Sequence, residues 1–299
     1  MIKKAFSVAL VGAALLTPSA TAGAAQGWHR VGDGITAGLS GIVVDGRHGD
    51  TVDTLAVRDN KKPGENRLVA VAYRPGAAPR VTPVTWRGTL PVDLEAIDAV
   101  PGRAHEYVAL ASDGTAYRIR RENTTVQVLR TFRLPGVSSD GNYEGFALAA
   151  VGHGKIAAVW ADRGSDDHPG KLTAAEWNSA TNAFGSRDSA KFRAPYPKKD
   201  VRQISDVKLS ADGALTVSST SDPGDDGPFD SALYAAGHLS VGKHGAVRLK
   251  VSDAPKRLAT FSGHKIEALA CLPKSHKGVL GSDDENAGGS ITEASFCRP

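Results

Sequence analysis

Five times along this chain a polar, oxygen-bearing residue follows an apolar one and is followed two positions later by another: Leu39-Ser40-Gly41-Ile42, Leu94-Glu95-Ala96-Ile97, Tyr143-Glu144-Gly145-Phe146, Ile204-Ser205-Asp206-Val207 and Ile266-Glu267-Ala268-Leu269. The second positions of these phrases lie 55, 49, 61 and 62 residues apart. Self-similarity at a period near fifty is the mark of propeller blades. Each phrase opens an apolar strand, and a second strand follows after a short turn: Thr54 to Arg58, Tyr107 to Ser112, Ile156 to Ala161, Leu215 to Ser221 and Val279 to Ser282. These second strands stop at Asp59, Asp113, Asp162, Asp222 and Asp283. Two more strands per unit follow from runs such as Arg67 to Tyr73 and Val126 to Phe132, which alternate or are rich in β-branched residues. Turn signals at Pro101-Gly102, Asp113-Gly114 and Ala211-Asp212-Gly213 separate them. The pattern predicts an all-β chain of four-stranded antiparallel blades.

The fifth unit, from Lys265 to Phe296, is one strand short when the chain reaches Pro299. A spare strand, Gly27-Trp28-His29-Arg30-Val31, precedes the first phrase. Its addition to the last blade would close the ring and remove the exposed edges of a linear array. A single five-bladed β-propeller closed by its N-terminal strand is therefore expected over residues 26–299, in preference to six blades.

Residues 1–25 carry Lys3 and Lys4, an apolar run from Ala5 to Leu16, and small residues ending near Ala20-Thr21-Ala22 or Ala24-Ala25. This reads as a signal peptide, too short for a membrane span. A secreted, extracellular protein is expected. Beyond the leader, 34 basic side chains face 32 acidic ones. A balance of +2 gives no reason to expect nucleic acid or membrane as a partner, and a monomer is expected. In an exported protein the two cysteines, Cys271 and Cys297, predict a disulfide, with a pair of buried thiols as the alternative.

In a propeller the first strand of each blade lines the central channel, so Ser40, Glu95, Glu144, Ser205 and Glu267 should meet at one level. Three clustered carboxylates repel by a few kcal/mol per pair at an effective dielectric near 20. Oxygen ligands without His or Cys suit a hard cation, and Ca2+ accepts 6–8 of them with tolerant geometry. The alternative is that these side chains hydrogen-bond only backbone amides or channel water. The five strand-end aspartates likewise divide between turn capping and a functional role.

The order Ser, Glu, Glu, Ser, Glu at five inner-strand starts resembles the calcium-activated nucleotidases, the apyrase family of five-bladed propellers. Lys265-Ile266-Glu267-Ala268-Leu269 and Asn142-Tyr143-Glu144-Gly145-Phe146 are similar to that family's glutamate phrases, and Gly38-Leu39-Ser40-Gly41-Ile42 to its first serine phrase. The Glu-Gly start also looks like that of secreted propellers named for an esterase-like activity of phytase. The resemblance implies Ca2+ in the channel, held by Ser40, Glu95, Glu144, Ser205 and Glu267, below a site that hydrolyses a phosphorylated small molecule. The family's phosphate-binding stretches are not matched: the corresponding places read Val57-Arg58-Asp59-Asn60-Lys61 and Ala111-Ser112-Asp113-Gly114. Asp162-Arg163-Gly164 is a displaced echo.

Two functions follow as expectations. One is a Ca2+-dependent phosphohydrolase in which Asp59 or Asp113 serves as base and Arg58 or Arg163 neutralises developing charge. The other is a non-catalytic propeller that binds an extracellular ligand or protein and keeps a structural metal. No G-x-S-x-G, H-E-x-x-H or P-loop motif occurs. The loop Asp222-Pro223-Gly224-Asp225-Asp226-Gly227 mimics the start of an EF-hand without its later acids.

Overall fold

The computed structural model describes residues 27–151, 154–242 and 246–298. The leader read over residues 1–25 lies outside the described residues. Twenty strands occur among the described residues, with two short 3-10 turns and no α-helix. After β1 (His29–Gly32) the strands fall into five consecutive groups. The first is β2 (Gly41–His48), β3 (Thr51–Val57), β4 (Leu68–Tyr73) and β5 (Arg80–Arg87). The second is β6 (Leu94–Ala99), β7 (Glu106–Ala111), β8 (Thr115–Glu122) and β9 (Thr125–Arg133). The third is β10 (Tyr143–Ala150), β11 (Ile156–Asp162), β12 (Gly170–Asn178) and β13 (Ala183–Phe192). The fourth is β14 (Val201–Leu209), β15 (Ala214–Ser221), β16 (Asp230–Val241) and β17 (Val247–Ser262). The last is β18 (Ile266–Cys271), β19 (Lys277–Asp283) and β20 (Gly289–Ser295).

Within each group the strands pair antiparallel in chain order, and β1 adds to β20 through His29 opposite Ile291. The first two groups form one eight-stranded sheet, because Thr85–Arg87 of β5 pair in parallel with Thr125–Gln127 of β9. The others are separate four-stranded sheets. The innermost strands β2, β6, β10, β14 and β18 pack each against the next, and β18 packs on β2. The all-β arrangement is consistent with a β-propeller.

Every group is apolar on both faces, which explains the near-continuous hydrophobic runs of the inner strands. The buried side chains form five clusters, each at a boundary between neighbouring groups. Val31 of β1 joins Leu39, Ile42 and Ile291 at the boundary between last and first groups. Cys271 and Cys297 are bonded, tying the chain end to β18.

Candidate functional site at the channel mouth

Because the strands alternate in direction, every inner strand begins, and every second strand ends, on the same side of the molecule. That side also carries the connections 33–40, 58–67, 88–93, 163–169 and 284–288, and is called the mouth here. At the phrases the β6–β7, β10–β11, β14–β15 and β18–β19 ladders each slip register, between Leu94 and Ala96, Tyr143 and Gly145, Arg202 and Asp206, and Ile266 and Ala268. A bulge adds one unpaired residue and re-aims its side chain. The bulged residues include Glu95, Glu144, Ser205 and Glu267. The residue after each phrase's polar position must often be small. A Cβ on Gly41 would lie 2.8 Å from Ala96 Cα, and one on Gly145 would lie 2.9 Å from Val207 Cγ1. Close approach of neighbouring inner strands therefore selects these glycines.

All five expected channel residues are buried. Their partners divide them. Glu144 Oε1 accepts from Arg163 Nη1 at 3.0 Å and Arg202 Nη1 at 3.2 Å, and the same Arg202 nitrogen lies 2.9 Å from Glu267 Oε1. Arg202 also donates through Nε and Nη2 to Asp222 Oδ2, at 2.9 and 2.5 Å. Lys265 Nζ lies 3.3 Å from Glu267 Oε1 and pairs closely with Glu285. Ser205 Oγ donates to the Ile266 carbonyl at 2.7 Å. By contrast, Glu144 Oε2 and Ser40 Oγ are buried without a hydrogen-bond partner, and among the described residues the Glu95 side chain makes no hydrogen bond or ion pair.

Charge follows this division. Burial, reinforced by the Glu144 carboxylate, pushes the Glu95 carboxyl well above its ordinary range. Burial raises Glu267 as well, against the pull of Lys265 and Arg202. Although burial pushes Asp222 up, Arg202 and Lys265 hold it below its usual value. Burial raises Asp283, with the Glu267 charge adding to it.

Ca2+ can be tested against these contacts. The five expected ligands do not converge on one ion: Ser205 is committed to backbone, and Glu267 and one oxygen of Glu144 are committed to Arg202 and Lys265. Among the described residues no group of three or more His, Cys, Asp or Glu side chains is close enough to hold a metal. As arranged, the ring does not fit a single Ca2+.

The other expected site residues are partly brought together. The 58–67 connection is ordered by buried Arg67, which donates to the carbonyls of Pro91, Glu65 and Lys62 at 2.7, 2.9 and 3.1 Å. It displays Arg58, Asp59 and Lys61 at the mouth. Burial raises Asp59, and burial also weakens the Arg58 cation, which the Asp283 charge supports. Arg58 Nε is buried without a hydrogen-bond partner. Lys61 Nζ pairs with Asp93 Oδ1 at 2.9 Å. Arg163 is one-third exposed and reaches Glu144. Asp113 stands apart: it accepts from Thr115 N at 2.8 Å and Thr115 Oγ1 at 3.0 Å, pairs with Arg133, and has a side chain 62% exposed. Asp162 accepts from the backbone of Asn142 and Gly164.

A second charged layer, unforeseen in the sequence, lies further along the inner strands. Asp98 Oδ2 accepts from Leu148 N at 2.9 Å, and Asp206 Oδ2 from Leu269 N at 2.8 Å, so each aspartate ties its strand to the next inner strand. Lys208 Nζ lies 3.8 Å from Asp206 and donates to the Ile97 carbonyl at 3.3 Å. The signal for it was a lysine inside the apolar run Val207-Lys208-Leu209. Around the mouth the exposed large hydrophobics are Ile35, Leu90 and Val92.

No family model matches the chain, and no curated protein matches it. Among solved structures it is similar to a glycoside hydrolase, with a TM-score of 0.51 at 10% sequence identity, over 88% of this chain and 62% of that one. The chain thus spans less than two thirds of that structure's length. Likeness at this identity speaks to the fold, and the fold it supports is propeller-like.

Proposed function

We propose that the chain is an exported five-bladed β-propeller whose mouth hydrolyses a small anionic substrate, its five strand groups being the blades. One observation carries this reading: Glu95 is buried and unpaired, its carboxyl pushed upward by burial and by the Glu144 charge, and Glu144 Oε2 is itself buried without a partner. A buried, unpaired carboxyl raised by its surroundings and set next to a second carboxyl group is a candidate general acid. In this reading Glu95 protonates the leaving group. Asp59, raised by burial, takes the proton of the attacking water. Arg58 and Arg163 face the developing negative charge. The exposed side chains of Leu90 and Val92, on the 88–93 connection, suit an aryl or similar group on the substrate. Phosphate esters and phosphoanhydrides match the cations. Aryl glycosides enter as a second substrate class because an acid and a carboxylate also serve glycoside hydrolysis.

The competing reading is a binding propeller with a Ca2+-loaded channel. The orphan oxygens of Ser40 and Glu144 favour it, and the pairing of Glu144 and Glu267 with Arg202 opposes it. Product release from nucleotides, phytate, aryl phosphates and aryl glycosides, in Ca2+ and in chelator, tests both. Turnover that persists in chelator supports the acid–base site. Turnover only with Ca2+ supports a metal enzyme, and no turnover across the panel removes the enzymatic reading.

A further inference from the structure

Clustered buried carboxylates require a compensating cation, because an ionised group removed from water without a partner is strongly disfavoured. Here the chain supplies one. A single guanidinium, that of Arg202, touches carboxylates from three groups of strands: Glu144 Oε1 at 3.2 Å, Glu267 Oε1 at 2.9 Å, and Asp222 Oδ2 at 2.9 and 2.5 Å. Its planar fork of donors matches carboxylates in a way that a lysine point charge does not.

The position follows from the order of the ring. Arg202 belongs to β14, which lies between the inner strands carrying Glu144 and Glu267. That group contributes a serine to the ring, and Ser205 Oγ turns to the Ile266 carbonyl. A gap is left between two glutamates. The register slip between Arg202 and Asp206 carries the arginine to the mouth end of that strand, and its side chain reaches both neighbours. Glu144 and Glu267 meet on Nη1 while Asp222 takes Nε and Nη2, so the three carboxylates are spread around a planar group instead of gathered in the 2.3–2.6 Å shell of a Ca2+ ion. This accounts for the lack of a metal-sized acidic cluster among the described residues.

We propose that Arg202 is the resident counter-ion of the Glu144–Asp222–Glu267 half of the channel, standing where a divalent cation would otherwise be needed, and that removing its guanidinium turns this half into a Ca2+ site. Once the guanidinium is gone, three carboxylates with flexible side chains face one another, and Ca2+ accepts such oxygen sets with water completing the shell. The inference concerns folding stability and holds whether or not the mouth is catalytic.

The test compares the full exported chain with Arg202→Gln and Arg202→Lys by thermal unfolding, each in millimolar Ca2+ and in chelator. Wild type should unfold at the same temperature in both. Arg202→Gln should unfold earlier in chelator and recover in Ca2+, by about 5–10 °C at a hundredfold excess over the dissociation constant. Arg202→Lys, which keeps the charge, should show no such recovery. The proposal is overturned if wild type gains as much from Ca2+ as Arg202→Gln does, or if Arg202→Gln gains nothing. It is equally overturned if Arg202→Gln fails to fold in Ca2+ and in chelator alike, since Ca2+ is then no substitute for the guanidinium.

Discussion

Lys208 Nζ donates to the main-chain carbonyl of Ile97 at 3.3 Å, joining β14 to β6, two inner strands that are not neighbours in the circuit. The bond crosses the channel, so the lysine braces it from within. Its charge also faces Asp206 at 3.8 Å and lowers the cost of ionising Asp98. Lys208→Met should destabilise the fold by about 1–3 kcal/mol, the cost of leaving the buried Ile97 carbonyl without its donor, while Asp206, already raised by burial, takes up a proton. Asp206→Asn added to that variant should recover part of the loss. Urea unfolding of the two variants and the parent measures both, and a loss below about 1 kcal/mol would show that the brace is idle.

The same aspartate sets a pH dependence. Burial raises the Asp206 carboxyl to about 7, although Lys208 and two backbone amides oppose the shift. A folded state that holds its proton more tightly than the unfolded chain loses stability as pH rises between the two values. The window here runs from about 4, the ordinary aspartate value, to about 7. Glu267, raised in the same direction by burial, adds to the slope. The unfolding temperature should therefore fall from pH 5 to pH 7.5, with a shallower slope in Asp206→Asn. A rise over that range in the parent protein would contradict the assignment.

The architecture was readable because its cause is repetitive. Each inner strand needs apolar residues on both faces and one polar residue at its mouth end, set in a bulge in four of the five, and that demand writes the five phrases. The N-terminal strand was readable as the missing fourth member of the last group, and β1 does pair with β20. The cation partners were not readable. Arg202 and Lys265 stand three and two residues before a ring residue, at the strand's mouth end, and only the bulge and the neighbouring strand decide where such side chains reach. Asp113 shows the converse. It shares its strand-end position with Asp59, yet the tight turn to Gly114 directs it to its own backbone.

The last group of strands has a covalent staple that can be removed separately. The Cys271–Cys297 bond spans 26 residues, and a loop of that size corresponds to about 3.5 kcal/mol in the chain-entropy treatment. Cys297→Ser should lose about that much, and reductant should lower the parent to the same level. Chemical unfolding with and without reductant distinguishes this from a local packing loss, which reductant would not reproduce.

Close approach of inner strands predicts intolerance to a single methyl. Gly41 faces the backbone of Ala96 and Ile97 and the stiff, branched side chain of Val57. Gly41→Ala should cost about 1–3 kcal/mol, the range for overpacking a close contact. Gly46, whose Cβ would meet nothing within 4 Å, provides the control, and equal losses at the two positions would refute the spacing argument.

The acid role of Glu95 makes the sharpest demand on the mouth, because it separates chemistry from folding. Glu95→Gln keeps the shape of the side chain and removes the carboxyl that burial and the Glu144 charge push well above its ordinary range. Loss of a general acid usually costs about 10²–10⁴-fold in rate, so turnover of whichever panel substrate is accepted should fall by that factor. Stability should move the other way. A carboxyl raised on folding weakens the fold as pH climbs toward its folded value, and an amide carries no such penalty. Glu95→Gln should therefore unfold at the same temperature as the parent or higher at pH 8. Leaving groups that need no proton, such as nitrophenolate, should lose less rate than alkyl ones. An unchanged rate, or an equal loss for both kinds of leaving group, would remove Glu95 from the chemistry while leaving the architecture of the channel intact.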